Sequence, residues 1–188
     1  KQRIVGITQN KGEKLEIIKK WINACGFNFY EHVSDDKKVI LEICNAQLFE
    51  YLKQFGGSHD KFIPQELKQL SPRLLRILYD AMMLGDGTHG REYCTVSKKL
   101  ANDVAEIILK MGFAATVMQD NCSRFGQYTI WRVSRNERRI ERTRCNEHVD
   151  QRKWVDYDGM VYCLTVPNHI VYVRRNGKAA WSRQSWWA

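Results

Sequence analysis

Residues 78–90 read LYDAMMLGDGTHG, and this stretch carries the strongest indication of the fold. An apolar run with helical character ends in Gly85-Asp86-Gly87, so one carboxylate lies between two glycines. Glycine often ends a helix because it tolerates the left-handed backbone conformation, so the glycines need no functional explanation. Helix termination does not explain the acid between them, nor the small residue Ala81 one turn before Gly85. The rest of the chain supplies the context for both.

Length, charge and cysteine usage limit the class of protein. The 188 residues carry a net charge of +9, and 44% of them are hydrophobic, which suffices for at least one packed domain. No apolar run approaches the roughly 18 residues of a membrane span, and the first residues lack a signal-peptide pattern. No membrane partner is therefore expected. The six cysteines form no CxxC pair, and this pattern predicts reduced thiols in an intracellular, cytoplasmic protein. The positive charge favours a polyanionic partner such as a nucleic acid.

The densest run of positive charge is SRNERRIERTR, residues 134–144. Its arginines at positions 135, 138, 139 and 142 recur at the spacing of one helix face. Two interpretations stay open, a stripe that follows phosphates and a solvated helix that links two domains. The solvated linker is favoured, because charge runs usually form solvent-exposed helix faces.

An internal repeat organises most of the chain. Residues 3–32, RIVGITQNKGEKLEIIKKWINACGFNFYEH, predict a strand, an amphipathic helix, a glycine turn and a strand. Residues 92–120, EYCTVSKKLANDVAEIILKMGFAATVMQD, repeat that order, and each copy is followed by one more strand, KKVILEI or QYTIWRVS. Gly26 and Gly112 end the two helices and are 112 − 26 = 86 residues apart. Two copies of this length predict an α+β domain with a pseudo-two-fold axis.

A helix that ends in Gly-Asp-Gly before a repeat of this kind resembles the LAGLIDADG homing endonucleases. The resemblance covers about residues 4–135 and implies a saddle of αββαββ-type repeats in which one acid-ending helix from each repeat packs against the other. It implies that Ala81 and Gly85 line this helix seam, and that Asp86 is a catalytic ligand of Mg²⁺ or another divalent cation. Because 86 − 86 = 0, the equivalent first helix is expected to end at or just before Lys1 and to be missing from this sequence.

A second block resembles the intein-borne members of that family. In HDKFIPQEL, residues 59–67, Lys61 and Pro64 occupy the positions of a lysine–proline block, which makes Lys61 the candidate catalytic lysine. Polar side chains on strands can enter the major groove of double-stranded DNA, where Arg and Gln are the natural contacts to bases. The candidate DNA-binding residues are Lys98, Lys99, Arg124, Gln127, Arg132 and Arg135. The alternation in QYTIWRVS does not establish which of its faces meets DNA.

The C-terminal residues differ in composition from the rest of the chain. Asp158-Gly159 and Asn176-Gly177 are typical of hairpin turns between strands rich in aromatic and β-branched residues. Residues 161–181, VYCLTVPNHIVYVRRNGKAAW, resemble the C-terminal splicing blocks of inteins and imply an all-β piece of a Hint splicing domain. Cys163 occupies a position at which a cysteine is the first nucleophile in one intein class and assists in the commoner class.

The last residues, SRQSWWA, lack the asparagine with which inteins usually end. The preferred interpretation makes Gln184 the cyclising amide and Ser185 the acceptor of the acyl group. In the other interpretation the junction asparagine has been removed and Ser182 is the first extein residue. The domains are accordingly expected at 1–137 for the endonuclease, 138–152 for the linker and 153–188 for the splicing segment.

The resemblances together imply an intein-borne, site-specific homing endonuclease that makes metal-dependent double-strand cuts, with a C-terminal protein-splicing segment. Its expected partners are a double-stranded DNA target, a missing N-terminal intein portion and the exteins of a host protein. Two alternatives stay open. One is a nucleic-acid-binding module of the same fold that does not cut, and the other is an inactive intein remnant.

Overall fold

The computed structural model describes residues 3–35, 37–88, 90–120, 129–136, 156–162, 164–175 and 178–183. The chain divides into two compact units, Lys1–Lys61 and Phe62–Ala188. Each unit has its own sheet and its own hydrophobic core. Among the described residues no helix has the length and apolar character needed to cross a membrane.

The first unit is a three-stranded antiparallel sheet with helices. Its elements are β1 (Ile4–Asn10), α1 (Glu13–Ala24), β2 (Tyr30–Asp35), β3 (Lys38–Cys44) and α2 (Ala46–Lys53), and the strand order is β1-β3-β2. Alternate residues of β3, from Val39 to Ile43, are buried together with Leu15 and Ile22 of α1. The alternation places one face of the sheet in the core and leaves the intervening side chains on the other face.

The second unit repeats this plan after two additional helices. Its elements are α3 (Gln65–Lys68), α4 (Pro72–Asp86), β4 (Gly87–Thr88), β5 (Glu92–Thr95), α5 (Lys98–Lys110), β6 (Ala114–Asp120) and β7 (Ile130–Asn136). The strand order is β4-β5-β7-β6, and all pairs are antiparallel. Val104, Ile107 and Ile108 of α5 are fully buried against Tyr79 of α4 and Val133 of β7. The core of this unit therefore lies between α5 and one face of the sheet.

The predicted repeat of strand, helix, strand and strand is confirmed in both units. In each copy the first strand pairs with the third and the third pairs with the second, giving β1-β3-β2 and β5-β7-β6. Gly26 and Gly112 follow the two helices with φ angles of 76° and 89°, a left-handed conformation that L side chains adopt at a cost. The same local chemistry thus ends both helices, while the two-fold axis between the copies stays a prediction.

In the described C-terminal residues two strands, β8 (Ile170–Arg175) and β9 (Lys178–Arg183), pair in antiparallel fashion. Within the second unit this pair of strands lies against α5, where Nη2 of Arg174 donates to Oδ1 of Asn102 at 2.6 Å. A cavity of about 240 Å³ between them is lined by Asn102, Glu106, Leu109, Ala115, Tyr172 and Arg174, among others.

The predicted strands around Asp158-Gly159 are not formed in the described residues. Residues 156–162 and 164–169 contain no strand, and Val161, Tyr162 and Leu164 are largely exposed. A strand forms only where a neighbouring backbone supplies a ladder of hydrogen bonds. In the described C-terminal residues that ladder is confined to β8 and β9, so the expected strands are present at 170–175 and 178–183, and the expectation was wrong for 156–162 and 164–169.

Candidate active site

The acid-ending helix leads directly into the sheet of the second unit. One side of α4 buries Leu75 and Tyr79, and the helix ends at Asp86, whose side chain is exposed. Gly87 then takes an extended conformation, and its N–H donates to the carbonyl oxygen of Met83. Asp86 therefore presents a carboxylate to solvent at the point where the helix gives way to β4.

The two glycines that flank Asp86 differ in the space around them. A Cβ atom on Gly87 would lie 2.4 Å from the carbonyl oxygen and 2.8 Å from the Cα atom of Met83, so a side chain there would clash with the last helical turn. A Cβ atom on Gly85 would meet nothing within 4 Å. Packing within the unit thus requires glycine at position 87. It does not require glycine at position 85.

A buried tyrosine lies opposite the end of the helix. Tyr93 of β5 pairs in register with Gly87 and is only 5% exposed. Burial raises the pKa of its hydroxyl well above the ordinary value, and the negative charge of Asp86 raises this pKa further. Tyr93 therefore stays neutral and protonated next to the acid. Sequence reasoning missed this residue, because a tyrosine in a strand is indistinguishable from an ordinary core residue.

The residues around Asp86 fit a divalent cation only as part of a larger site. The described residues contain no group of three or more His, Cys, Asp or Glu side chains that could hold a metal ion. Mg²⁺ is commonly held by one or two carboxylates together with substrate phosphates and several waters. A single exposed carboxylate has the right chemistry for such a site, which the oxygens of a substrate would complete.

The residues that follow Lys61 are anchored by a buried acid. Lys61 itself is exposed at the end of the first unit. In the second unit the backbone N–H of Ile63 donates to Oδ2 of Asp103 at 2.9 Å, and Nζ of Lys68 lies 2.9 Å from Oδ1 of Asp103. Lys68 also lies 2.9 Å from Glu106. Sequence reasoning missed Asp103, although an acid within the apolar stripe of an amphipathic helix was the available signal.

The structure establishes which face of β7 is covered. Val133 is fully buried, Trp131 packs on the same core, and the guanidinium of Arg135 lies 5.4 Å from the ring centre of Tyr79. Side chains at odd positions of β7 thus face the helices. Arg132 and the other even positions form the opposite surface, called here the open face of the second sheet.

The candidate DNA-binding residues are therefore not brought together. Arg132 lies on the open face, whereas Arg135 lies on the covered one. Lys98 and Lys99 are exposed in the first turn of α5. The Nζ atom of Lys98 lies 5.3 Å from the ring centre of Trp131, and that of Lys99 lies 3.9 Å from the ring centre of Phe62. Of the candidates that the structure describes, Arg132 is the one on the open face.

Several predicted residues lie outside the described part of the chain. These are Arg124, Gln127, Cys163, Gln184 and Ser185, together with the whole of the expected linker 138–152. Ser182, the alternative first extein residue, is described and is exposed in β9.

Two known proteins with different names are similar to this chain in sequence. No model of a known protein family matches the chain. The DNA-directed RNA polymerase subunit beta C-terminal section of Stigeoclonium helveticum is 27% identical over 231 residues, covering 97% of this chain and 20% of that protein. An ATP-dependent Clp protease proteolytic subunit of Chlamydomonas moewusii is 32% identical over 124 residues, covering 62% of this chain and 12% of that protein. The chain thus spans a small part of the length of either relative.

Solved structures of the homing endonuclease I-DmoI share the fold. I-DmoI in complex with DNA and Mn has a TM-score of 0.51 at 15% identity, over 71% of this chain and 73% of that one. Mesophilic variants of I-DmoI give a TM-score of 0.50 at 14% identity, over 70% of this chain and 73% of theirs. The mixed α+β fold of this chain resembles that of I-DmoI, a LAGLIDADG endonuclease, as the sequence resemblance implied.

Proposed function

We propose that this chain is part of an intein-borne, site-specific homing endonuclease that makes metal-dependent double-strand cuts in DNA. The observation that carries the proposal is Asp86, an exposed carboxylate at the end of a helix that leads directly into a sheet with one open face. Its support is the shared fold with I-DmoI, a homing endonuclease solved in complex with DNA and Mn.

The chemistry of phosphodiester cleavage suits these side chains. Asp86 would hold a divalent cation such as Mg²⁺ together with substrate phosphate oxygens, and the cation would supply Lewis-acid stabilisation of the phosphate. The ammonium of Lys61 would offset the negative charge that develops during attack. The exposure of both side chains is what access to a large substrate requires.

The exposed side of α4 is proposed to receive a second acid-ending helix. Ile77 is 58% exposed, and Ala81 and Gly85 follow it at intervals of four residues, so an apolar stripe of decreasing size runs to Asp86. Small residues allow two helix backbones to approach closely, and the space beside Gly85 is open. A helix packed there would place a second carboxylate beside Asp86, one for each DNA strand.

The open face of the second sheet is proposed to meet the major groove, which is about 12 Å wide and admits a two-stranded β-ribbon. Arg132 is the proposed base contact on this face, and Lys98 and Lys99 are proposed phosphate contacts. Arg124 and Gln127, which lie between β6 and β7 in the sequence, are also proposed to contact bases. Arg135 is omitted from this surface, because its guanidinium stacks on Phe113 on the covered side.

The intein part of the proposal is supported by the two curated relatives. An RNA polymerase subunit and a protease subunit have no chemistry in common, yet a small part of each matches this chain. A mobile segment inserted into unrelated host proteins accounts for such matches. The splicing-like block then gives Cys163, Gln184 and Ser185 their proposed roles, with an N-terminal intein portion and the host exteins as partners.

Substitution of the metal-binding acid tests the endonuclease. In the complete protein Asp86→Asn should abolish cleavage of target DNA with Mg²⁺ or Mn²⁺ and leave duplex binding largely intact. Asp80→Asn is the matched control, since Asp80 is exposed on the same helix and is paired only locally with Arg76 at 3.1 Å. Cleavage by Asp86→Asn at the wild-type rate would show that the assignment is wrong.

A binding module that does not cut is the second candidate. The observation in its favour is the net charge of +9, which favours binding to a polyanion whether or not the nucleic acid is cut. Duplex binding by the complete protein without cleavage in either cation would establish this function. Absence of both binding and cleavage would identify an inactive remnant.

A further inference from the structure

The two residues that follow Lys61 are held by one turn of a helix. The Nζ atom of Lys99 lies 3.9 Å from the ring centre of Phe62, and the backbone N–H of Ile63 donates to Oδ2 of Asp103 at 2.9 Å. Lys99 and Asp103 are four residues apart on α5, so their side chains are neighbours on its surface. Two adjacent contacts from α5 thus restrain the backbone directly after Lys61.

The helix that makes these contacts is fixed in the core, whereas Lys61 lies in a loop. Val104 of α5 is fully buried, and the first turn is capped by the Ser97 hydroxyl, which accepts from the backbone N–H of Leu100 at 3.1 Å. Residues 61–64 form neither helix nor strand, and Lys61 is exposed. A functional side chain on a loop is placed precisely only when neighbouring residues are locked by packing and hydrogen bonds. The contacts with α5 supply that restraint.

Stability alone does not account for the buried acid in this arrangement. Burying a carboxylate carries a desolvation cost, and a buried ion pair is often no more stabilising than well-packed apolar residues of similar volume. The acid instead specifies where the chain lies, because a hydrogen bond of 2.9 Å constrains the position of the Ile63 N–H. The Lys99 ammonium adds a second restraint, since a cation within about 6 Å of a ring centre is attracted to the face of the ring.

We infer that Lys99 and Phe62 are positioning residues for Lys61. Their stack, together with the contact of Ile63 with Asp103, orients the loop so that the Lys61 ammonium reaches the scissile phosphate. The inference rests on the proposed function, because the catalytic role of Lys61 belongs to it. Lys99 is also a proposed phosphate contact, so removal of its ammonium affects both roles. Removal of the Phe62 ring separates them, since the charges of Lys61 and Lys99 remain.

The test is the cleavage rate of the complete protein at saturating target DNA with Mg²⁺, measured beside the dissociation constant of the duplex without Mg²⁺. Phe62→Leu should lower the rate by up to about 100-fold, the loss that a misplacement of about 1 Å causes, and leave the affinity for DNA unchanged. Phe62→Tyr keeps a ring face and should retain the rate. Lys99→Met should also lower the rate, but in the Phe62→Leu background it should lower it no further, because both changes remove the same contact.

Phe113→Leu is the matched control and should cleave at the wild-type rate. Phe113 is also half-buried in the second unit, and its ring lies 5.1 Å from the guanidinium of Arg135, a cation on β7 rather than on α5. Thermal unfolding of each variant confirms that the fold is retained at the assay temperature. A wild-type rate in Phe62→Leu would overturn the inference, and so would an equal loss in Phe113→Leu or a loss of DNA affinity in Phe62→Leu without a loss of rate. A wild-type rate in Lys61→Met would instead overturn the proposed role of Lys61 and the inference with it.

Discussion

The backbone N–H of Ile63 donates to the carboxylate of Asp103 at 2.9 Å, across 40 residues of sequence. Asp103 is 6% exposed, and its second oxygen accepts from Lys68. One buried acid thus satisfies a backbone donor of the segment that follows Lys61 and the ammonium of Lys68. This contact ties the segment from Ile63 to Lys68 to α5, a helix of the same unit.

Removal of that acid should destabilise the second unit. Asp103→Ala leaves the buried Ile63 N–H without its acceptor and removes one of the two carboxylates that pair with Lys68, and an unsatisfied buried donor typically costs about 1–3 kcal/mol. The measurement is the free energy of unfolding in urea. Asp80→Ala removes an exposed partner of Arg76 and should cost less than about 1 kcal/mol. Similar losses in the two variants would contradict the role given to Asp103.

The ion pairs that Glu106 forms with Lys68 and Lys110 should make the stability of the second unit depend on pH in the acid range. Burial opposes ionisation of Glu106, but hydrogen bonds from Lys110 and Lys68 outweigh it and hold the pKa of Glu106 below its ordinary value of 4.5. A lowered pKa contributes stability that is present above the ordinary value and is lost as the pH falls through the pKa of the folded state. The difference in unfolding free energy between wild type and Glu106→Gln should therefore be largest near neutrality and shrink below about pH 4. A difference that is constant from neutrality to pH 3 would contradict this.

The two glycines beside Asp86 should respond oppositely to alanine. Gly87→Ala forces a methyl group against the Met83 backbone, and overpacking of this kind costs about 1–3 kcal/mol. Gly85→Ala meets open space inside a helix and should leave stability unchanged or raise it by about 0.5–1 kcal/mol. Unfolding measurements give both values.

The proposed helix seam makes a further prediction for Gly85. If a second helix packs closely there, Gly85→Ala should lower the rate of DNA cleavage although the folded unit is no less stable. Wild-type cleavage by Gly85→Ala would show that this position does not line the seam.

The splicing segment can be tested by joining the chain and its N-terminal portion between two reporter proteins. Gln184 would cyclise to a six-membered glutarimide, so release is expected to be slow, and the excised fragment should end at Gln184 by mass. A fragment that ends at Trp181 would move the acceptor to Ser182. With Cys163→Ala, total loss of the branched intermediate would make Cys163 the nucleophile, and slowed cleavage would show that it assists. No cleavage at either place would identify a splicing-dead segment.

The sequence by itself determined the elements that depend on local signals. Helical periodicity and the glycine turns located α1 and α5, and the end of the apolar run at residues 85–87 located the end of α4 at Asp86. These features involve residues within a few positions of one another, so their spacing in the sequence is sufficient. Residues 161–162 and 164–166 lie in the segment expected to be all-β but form no strand, because a strand also requires a partner that local spacing does not specify.

Only the tertiary structure decided which side chains meet. Strand alternation divides β7 into two faces, but it is the packing of Val133 against α5 that puts Arg135 in the covered layer and leaves Arg132 exposed. The hydrogen bond from Ile63 to Asp103 joins a loop to α5, and the ion pair of Arg132 with Asp120 joins β7 to β6. Such contacts depend on how elements pack and on strand register, and neither is a property of sequence spacing.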